Sequence, residues 1–371
     1  MEFTVSRSEL VRELNLAQGV VEKKATIPIL SNVLLEATGE RVVLTATDLE
    51  LGIRCSFPAR VETEGAGTVP GRKLLEYVRL LPDVDIHVKF LQNEWASLVC
   101  GRSRTRIAGM SRENFPELPE MPDSVAEIAV GDLLALIERT CFAISSEESR
   151  FSLNGGLLVL RDGAAAMVAT DGHRLAFAQT RNPSESITGF HKALVPRKAL
   201  AEIQKLANES QSDLHVHFAS NENHLFFRFG DRLLISRRLT GNFPDYERVL
   251  PKDHPYSLTL NREEVKGAIE RVAQFSDERS RAIKFQIAPG ELKIHSSLSE
   301  TGESEESVST VYEGPSLEIG FNADYLLHFL RAISDDEVCL YFRDSQSAGE
   351  WRPAGDGGAF EYRYIVMPMR I

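Results

Sequence analysis

LTLNREEVKGAIERVAQF, residues 258–275, decides how the rest of the chain is read. Leu258 and Leu260 alternate with Thr259, the period of a half-buried strand. Asn261 suits a helix N-cap, and Glu264 three residues on approaches a capping box. Val265, Ala268, Ile269, Val272 and Ala273 then fall at i, i+3, i+4, i+7 and i+8, one apolar helical stripe. The same strand–turn–helix unit opens the chain as FTVSRSELVRELNLAQGVV from Phe3, with Leu10, Leu14, Ala17 and Val21 on the stripe. It recurs as IAVGDLLALIERTCFAI from Ile128, with Leu133, Ile137, Thr140, Cys141 and Ile144. The starts are 125 and 130 residues apart (128 − 3 and 258 − 128). A period of this length organises a whole chain rather than one element.

Other landmarks keep the same step. VPGRKLLEYV from Val69, VPRKALAEI from Val195 and GFNADYLLHFL from Gly320 read as second helices, 126 and 125 residues apart. The first of these is expected over residues 71–81. Thr47-Asp48 and Thr170-Asp171 are 123 apart, and Phe115-Pro116 and Phe243-Pro244 are 128 apart. Each third reads as two helices and about eight strands, an α+β unit rather than a βαβ alternation. FPELPEMPDS, with Pro116, Pro119 and Pro122, reads as an extended, semi-rigid linker. NFPDYERVLPKDHP marks a second boundary. The expected domains are 1–121, 127–250 and 253–371.

The 371 residues are 43% hydrophobic and 26% charged, ordinary for a soluble globular protein. No run approaches the roughly 18 apolar residues of a membrane helix. MEFTVSRSEL enters a strand with no apolar signal region, so a cytoplasmic location is expected. Cys55, Cys100, Cys141 and Cys339 lie far apart without a CxxC and read as buried, reduced thiols. The net charge of −12 argues against a protein coated in nucleic acid, but permits a locally basic surface.

No GxGxxG, Walker loop, GxSxG or HExxH is present, and no cofactor or metal is expected. Asp171 and His173 in TDGHR could serve a hydrolase as general base, or could be an Asp-Gly turn. His215 and His217 share a strand face, without a further ligand to complete a metal site. Charge is more telling. Arg72, Glu76 and Arg79, with Lys73, and Lys198, Glu202 and Lys205, with Arg197, occupy polar faces of the second helices. Arg7, Arg12, Lys23, Lys24, Arg262, Lys266 and Arg271 lie on or near the first helices. These are either solvated faces or helices aimed at one polyanion, touching phosphates without reading bases. Arg102, Arg104 and Arg106 alternate on one strand; Glu303 and Glu305, near Glu300 and Glu306, alternate on another. Either a head-to-tail contact between copies matches the two, with apolar residues such as Ile107 and Phe275 supplying the adhesion, or they are unrelated charged edges that deter aggregation. The end, YIVMPMRI, is either a last core strand or a Met-rich peptide groove.

FTVSRSEL, IPILSNVLLEA, LTATDLELGI, VPGRKLLE, GRSR, LNGGLL, VATDGHRLAF, VPRKAL, GNFPDYERVLP, IGFNADYLL and YIVMPMRI together resemble the bacterial DNA polymerase III β subunit, the sliding clamp, over the full length. The resemblance implies a clamp fold of three tandem α+β domains, each with two helices packed on antiparallel sheets. Two subunits would join head to tail in a ring around duplex DNA, with twelve helices lining the hole. It implies a non-catalytic processivity factor whose partners are double-stranded DNA read without regard to sequence, the polymerase III catalytic subunit, the clamp loader and repair proteins. A specialised or drug-resistance paralogue of the clamp would look the same in sequence. Partners would dock a short peptide, with a glutamine and bulky apolar residues, in a pocket on domains two and three. By motif its walls would be Leu153, Thr170, Gly172, His173, Arg174, Leu175, Pro244, Arg248, Val249, Asn322, Tyr325, Ile365, Val366, Met367, Pro368, Met369 and Arg370. The DNA-facing positions would be Lys24, Arg72, Lys73, Arg150, Phe151, Arg197 and Lys198. Ser280, Gln346 and the acidic pair Glu147-Glu148 depart from the family pattern.

Overall fold

The computed structural model describes residues 1–21, 26–147, 149–210, 214–298, 302–355 and 358–370. Among them are six α-helices: α1 (Arg7–Ala17), α2 (Gly71–Val78), α3 (Val130–Thr140), α4 (Arg197–Asn208), α5 (Arg262–Val272) and α6 (Ala323–Ala332). The strands form four antiparallel sheets of five, eight, eight and four strands.

The start signals work as their chemistry predicts. Ser6 Oγ accepts from Glu9 N at 3.2 Å at the head of α1, Asn261 Oδ1 from Glu264 N at 3.0 Å at α5, and Asn322 Oδ1 from Tyr325 N at 3.1 Å at α6. Each satisfies one orphan amide, a contribution of about 1 kcal/mol. The ends run shorter than the apolar stripes. α2 stops at Val78 although Leu81 is buried, because Pro82 disfavours helical backbone just before it. Thr140 Oγ1 bonds back to Leu136 O at 2.7 Å, and Cys141–Ala143 tightens to a 3-10 turn. Val21 and Ile144 are buried too, but from beyond the helix ends.

By contacts the chain forms two compact units, Met1–Leu134 with Lys198–Arg238, and Ala135–Arg197 with Leu239–Ile371. The pairing of strands explains a division that cuts the middle repeat. In the first unit, Leu51–Pro58 pairs with Arg232–Arg237, so strands of the first and middle thirds share one eight-stranded sheet. In the second unit, Arg174–Thr180 pairs with Phe360–Val366, joining the middle and last thirds in the other. Leu118 and Met121, in the segment expected to be a spacer, pack on Ala219, Phe226, Leu233 and Ile235. Arg54 Nη2 also donates to Leu118 O at 3.0 Å. That segment is extended as expected, but it lies on a sheet face rather than spanning a gap.

Each unit also buries one multiply bonded carboxylate. Glu13 accepts from Arg232 Nη2 at 2.7 Å and Nε at 3.0 Å, and from Arg12 Nε at 2.8 Å. Glu350, fully buried, accepts from His254 Nε2 at 2.6 Å, Arg352 Nε at 2.7 Å and Arg363 Nε at 2.5 Å. Burial alone would raise the Glu350 carboxyl; hydrogen bonds from Arg363, Arg352 and His254 outweigh it and hold it at about 2. Since Arg363 Nη2 also donates to Pro251 O at 2.8 Å, this cluster ties the second boundary segment to the terminal strand.

Candidate binding sites

The TDGHR segment is a turn held by its own side chains. Thr170 Oγ1 donates to Arg174 O at 2.6 Å and accepts from Gly172 N at 3.1 Å. Asp171 Oδ1 accepts from His173 N at 2.9 Å and Arg174 N at 3.1 Å, and its Oδ2 meets Arg174 Nε at 3.0 Å. Gly172 sits at φ +92°, where a side chain would be strained. Asp171 is therefore committed to backbone amides and to Arg174; it does not bond the His173 ring. That removes the acid–base pair a hydrolase would need. His217 Nδ1 lies 3.2 Å from Glu127. No group of three His, Cys, Asp or Glu side chains suited to a metal occurs among the described residues.

Within the second unit this turn forms one rim of a hollow of about 130 Å³. Leu153, Leu175, Pro244, Val249, Ile365 and Met367 make it apolar, while Thr170, Gly172, His173 and Arg174 supply its polar edge. Ligand pockets for whole small molecules run to about 300–1,000 Å³, so this one has room for one large side chain. Pro244 and Val249 arrive from the boundary segment, whose Tyr246 stacks on Phe177 with centroids 6.0 Å apart. The tail begins as the core strand that was one of its two expected readings. Ile365 and Val366 are buried strand, whereas Met367 is 46% exposed. Backbone bonds from Met367 N to His173 O (2.9 Å) and Met369 N to Gly320 O (2.8 Å) fix the tail's path.

Arg174 is the costly residue here, only 8% exposed. Its guanidinium lies 4.3 Å over the Tyr325 ring and 5.6 Å from the Phe142 ring. Nη2 donates to Phe142 O at 2.6 Å, and Nη1 meets His328 Nδ1 at 2.9 Å and the Tyr364 hydroxyl at 3.4 Å. Phe142, His328 and Tyr364 were not legible as site residues. They lie far from TDGHR in sequence, Phe142 and His328 in stretches read only as helix repeats and Tyr364 at the head of the tail YIVMPMRI.

The structure gathers ten of the expected pocket residues around the hollow and leaves seven outside its lining. Arg248 has an exposed side chain paired with Asp245 at 2.8 Å. Asn322 caps α6 and donates to Ser280 O at 3.0 Å. Tyr325 backs Arg174, and Val366 is wholly buried. Pro368, Met369 and Arg370 continue past Met367 without touching the hollow.

Most helix cations are already engaged. Arg72 pairs with Glu76 at 3.0 Å, Lys198 with Asp48, and Arg150 with Glu147 at 2.8 Å. Arg197 Nη2 donates to Ile144 O at 2.8 Å. Lys73 is exposed without a partner among the described residues, and Phe151 is 67% exposed. Lys23 and Lys24 lie outside the described residues. Arg7 and Arg262 are structural: Arg7 Nη2 donates to Arg79 O at 2.6 Å beyond α2, and Arg262 Nε to Asp335 O at 2.7 Å beyond α6. A cation there complements the helix C-terminus.

The two charged strands are both sheet edges. Ser103–Ala108 ends the five-stranded sheet and Gly302–Ser309 the four-stranded one. Arg102, Arg104 and Arg106 are exposed and unpaired among the described residues. Glu303 and Glu305 are exposed, with Lys293 3.6 Å from Glu305. Two of these residues are already engaged within their own unit. Ile107 is 5% exposed. Glu306 falls on the other face of its strand and binds Arg271 through two contacts of 2.7 and 2.9 Å. Phe275 is half-buried, and Glu300 lies outside the described residues.

Family models for the DNA polymerase III β subunit match in series: the N-terminal domain over residues 1–119, the central domain over 127–245 and the C-terminal domain over 247–370. The chain is 38% identical to the β sliding clamp of Pseudomonas putida and 34% to that of Chlamydia muridarum, covering all of itself and at least 99% of each. It superposes on the DNA polymerase III subunit β of Pseudomonas aeruginosa with a TM-score of 0.94 at 37% identity, over the whole of both chains. A Caulobacter crescentus β sliding clamp gives 0.93 at 35%, again over both full lengths. The chain belongs to the DNA polymerase III β subunit family, the β sliding clamps.

Proposed function

We propose that the hollow beside the Thr170–Arg174 turn is the dock for a short peptide carried by DNA polymerases, the clamp loader and repair proteins. The observation that carries this reading is convergence: three segments remote in sequence, around Arg174, Val249 and Met367, build one apolar socket with a buried arginine at its edge. One bulky peptide side chain would fill the socket, and the polar edge would orient the backbone. A Pseudomonas aeruginosa sliding clamp of the same fold is known bound to griselimycin, with a TM-score of 0.93.

The chain is a non-catalytic processivity subunit, and two copies would close head to tail around duplex DNA. The free edges Ser103–Ala108 and Gly302–Ser309, one basic and one acidic, support antiparallel pairing between copies. Lys73, Arg72, Arg150, Phe151, Arg197, Lys198 and Lys24 would face DNA. Since most of these are already paired, their phosphate contacts would be weak and suited to sliding. The repeat boundaries at residues 121–127 and 250–253 belong to this reading, as does a cytoplasmic location. No helix is long and apolar enough to cross a membrane, among the described residues.

Deleting residues 367–371 tests the pocket. This cut spares Ile365 and Val366, which the core needs. A labelled peptide with a glutamine and two bulky apolar residues should bind the full chain and lose about tenfold or more in affinity on the deletion. Equal affinity refutes the assignment. Ring closure is read separately, by retention on nicked circular DNA and release when that DNA is linearised.

A further inference from the structure

The contact between Arg174 and His328 fixes a proton. Arginine is always charged and has only donors, so a guanidinium Nη1 2.9 Å from His328 Nδ1 requires a lone pair on that nitrogen. The imidazole must be neutral, with its hydrogen on Nε2. Four of the five Arg174 N–H groups then have acceptors: Asp171, His328, the Tyr364 hydroxyl and Phe142 O. The fifth, on Nη2, has none among the described residues and is available to a ligand carbonyl.

We propose that His328 is a positioning residue of the peptide pocket, and that its protonation loosens Arg174 and weakens peptide binding in acid. The inference rests on the docking role argued above. His328 never reaches the hollow itself; it acts through Arg174. Its ring is half-buried and stacks on Phe142, with centroids 5.8 Å apart and planes 11° from parallel. It therefore cannot swing away without breaking the aromatic cluster of Phe142 and Tyr364. A second proton would place N–H against N–H and positive charge against positive charge. The charged groups around it are Arg174 on the facing strand and Asp324 and Arg331 on α6, with Asp171 behind Arg174; the neutral hydroxyls of Tyr364 on the terminal strand and Tyr325 on α6 complete the titratable neighbours. Burial first, and then the charge of Arg174, push the His328 imidazole below its ordinary range, with Asp324 opposing them. The neutral form thus holds at pH 7 and yields only in acid.

The full-length protein and two variants test this with the same labelled peptide. His328→Asn places an amide oxygen where Nδ1 stood and cannot titrate; His328→Leu removes the acceptor. From pH 7.5 to 5.0 the dissociation constant of the native protein should rise about tenfold, and that of His328→Asn less than about threefold. All other residues are common to both proteins, so the comparison isolates His328. At pH 7.5 His328→Asn should match the native protein, and His328→Leu should bind about tenfold more weakly. Parallel pH curves, or native affinity in His328→Leu, overturn the proposal. Imidazole nitrogen NMR reads the tautomer without the peptide: a proton on Nδ1 at neutral pH overturns the proposal even if the peptide binds. Absence of any peptide binding at pH 7.5, with the expected tautomer present, instead overturns the docking reading and the functional half of this one with it.

Discussion

The turns at residues 47–51 and 170–174 share one backbone and differ in one buried side chain. In the first, Thr47 Oγ1 donates to Leu51 O at 2.7 Å, and Asp48 Oδ1 accepts from Glu50 N at 2.9 Å and Leu51 N at 2.6 Å. In the second, Thr170 and Asp171 make the same bonds to Arg174 and His173. The fifth residue is Leu51 in one, 3% exposed, and Arg174 in the other, 8% exposed. Leu51 needs only apolar neighbours. Arg174 needs Asp171, the Phe142 carbonyl, His328 and Tyr364. The Thr-Asp dipeptide is thus a folding device, and the site arises where the repeat departs from itself.

Removing the aspartates should separate the two turns most sharply. Asp171→Ala leaves a buried guanidinium without its carboxylate and should cost about 3–5 kcal/mol of stability. Asp48→Ala loses two backbone bonds and a half-exposed lysine pair, so about 1–2 kcal/mol is expected. Urea unfolding measures both; equal losses would mean that Arg174 is not held as described.

Next in size is an acid effect on the strands beside the turns. Arg232, which binds Glu13, lies beside the first turn's strand, and Arg363, which binds Glu350, beside the second's. Glu350 is held at about 2, below its ordinary 4.5. A lowered carboxyl contributes stability that is complete above the unfolded value and is lost as pH falls through the folded one. The second unit should therefore lose about 3 kcal/mol between pH 5 and pH 2, and Glu350→Gln should flatten that slope. Denaturant melts across this range, followed by Trp351 fluorescence, would show it.

Arg174→Leu converts the second turn into a match for the first. A buried ion replaced by an apolar side chain often leaves stability nearly unchanged. Peptide affinity should nonetheless fall by about 2 kcal/mol, roughly thirtyfold, since the pocket loses its buried donor. Calorimetric titration beside a thermal melt tests the dissociation of the two effects.

How far this was readable in advance follows from range. The helices, their caps and the threefold step are local or periodic, so Asn261, the leucine stripes and the Thr-Asp pairs were visible in the sequence. The hollow was reached through motif resemblance, and ten of its expected residues do line it. Arg7 and Arg262 looked like surface cations, because nothing local says that a neighbouring helix end lies within reach. Ile107 looked adhesive because alternation does not reveal that its face is already covered. Phe142, His328, Tyr364 and Glu350 act only through partners remote in sequence, so no local pattern marks them.

The smallest test concerns the third residue of each turn. Both adopt left-handed backbone: Gly172 at φ +92° and Leu49 at φ +74°. Glycine accepts this freely, whereas a leucine is strained by about 1–2 kcal/mol. Leu49 is 47% exposed, so little apolar burial offsets that strain. Leu49→Gly should relieve it, less the extra chain entropy of glycine, for a net gain of about 0.5–1 kcal/mol. Gly172→Ala should move the other way by a similar amount, since its new Cβ also comes within 3.1 Å of the Arg150 guanidinium. Opposite shifts in melting temperature would show that the two turns share one backbone geometry. A loss on Leu49→Gly would mean that the left-handed backbone does not strain the leucine.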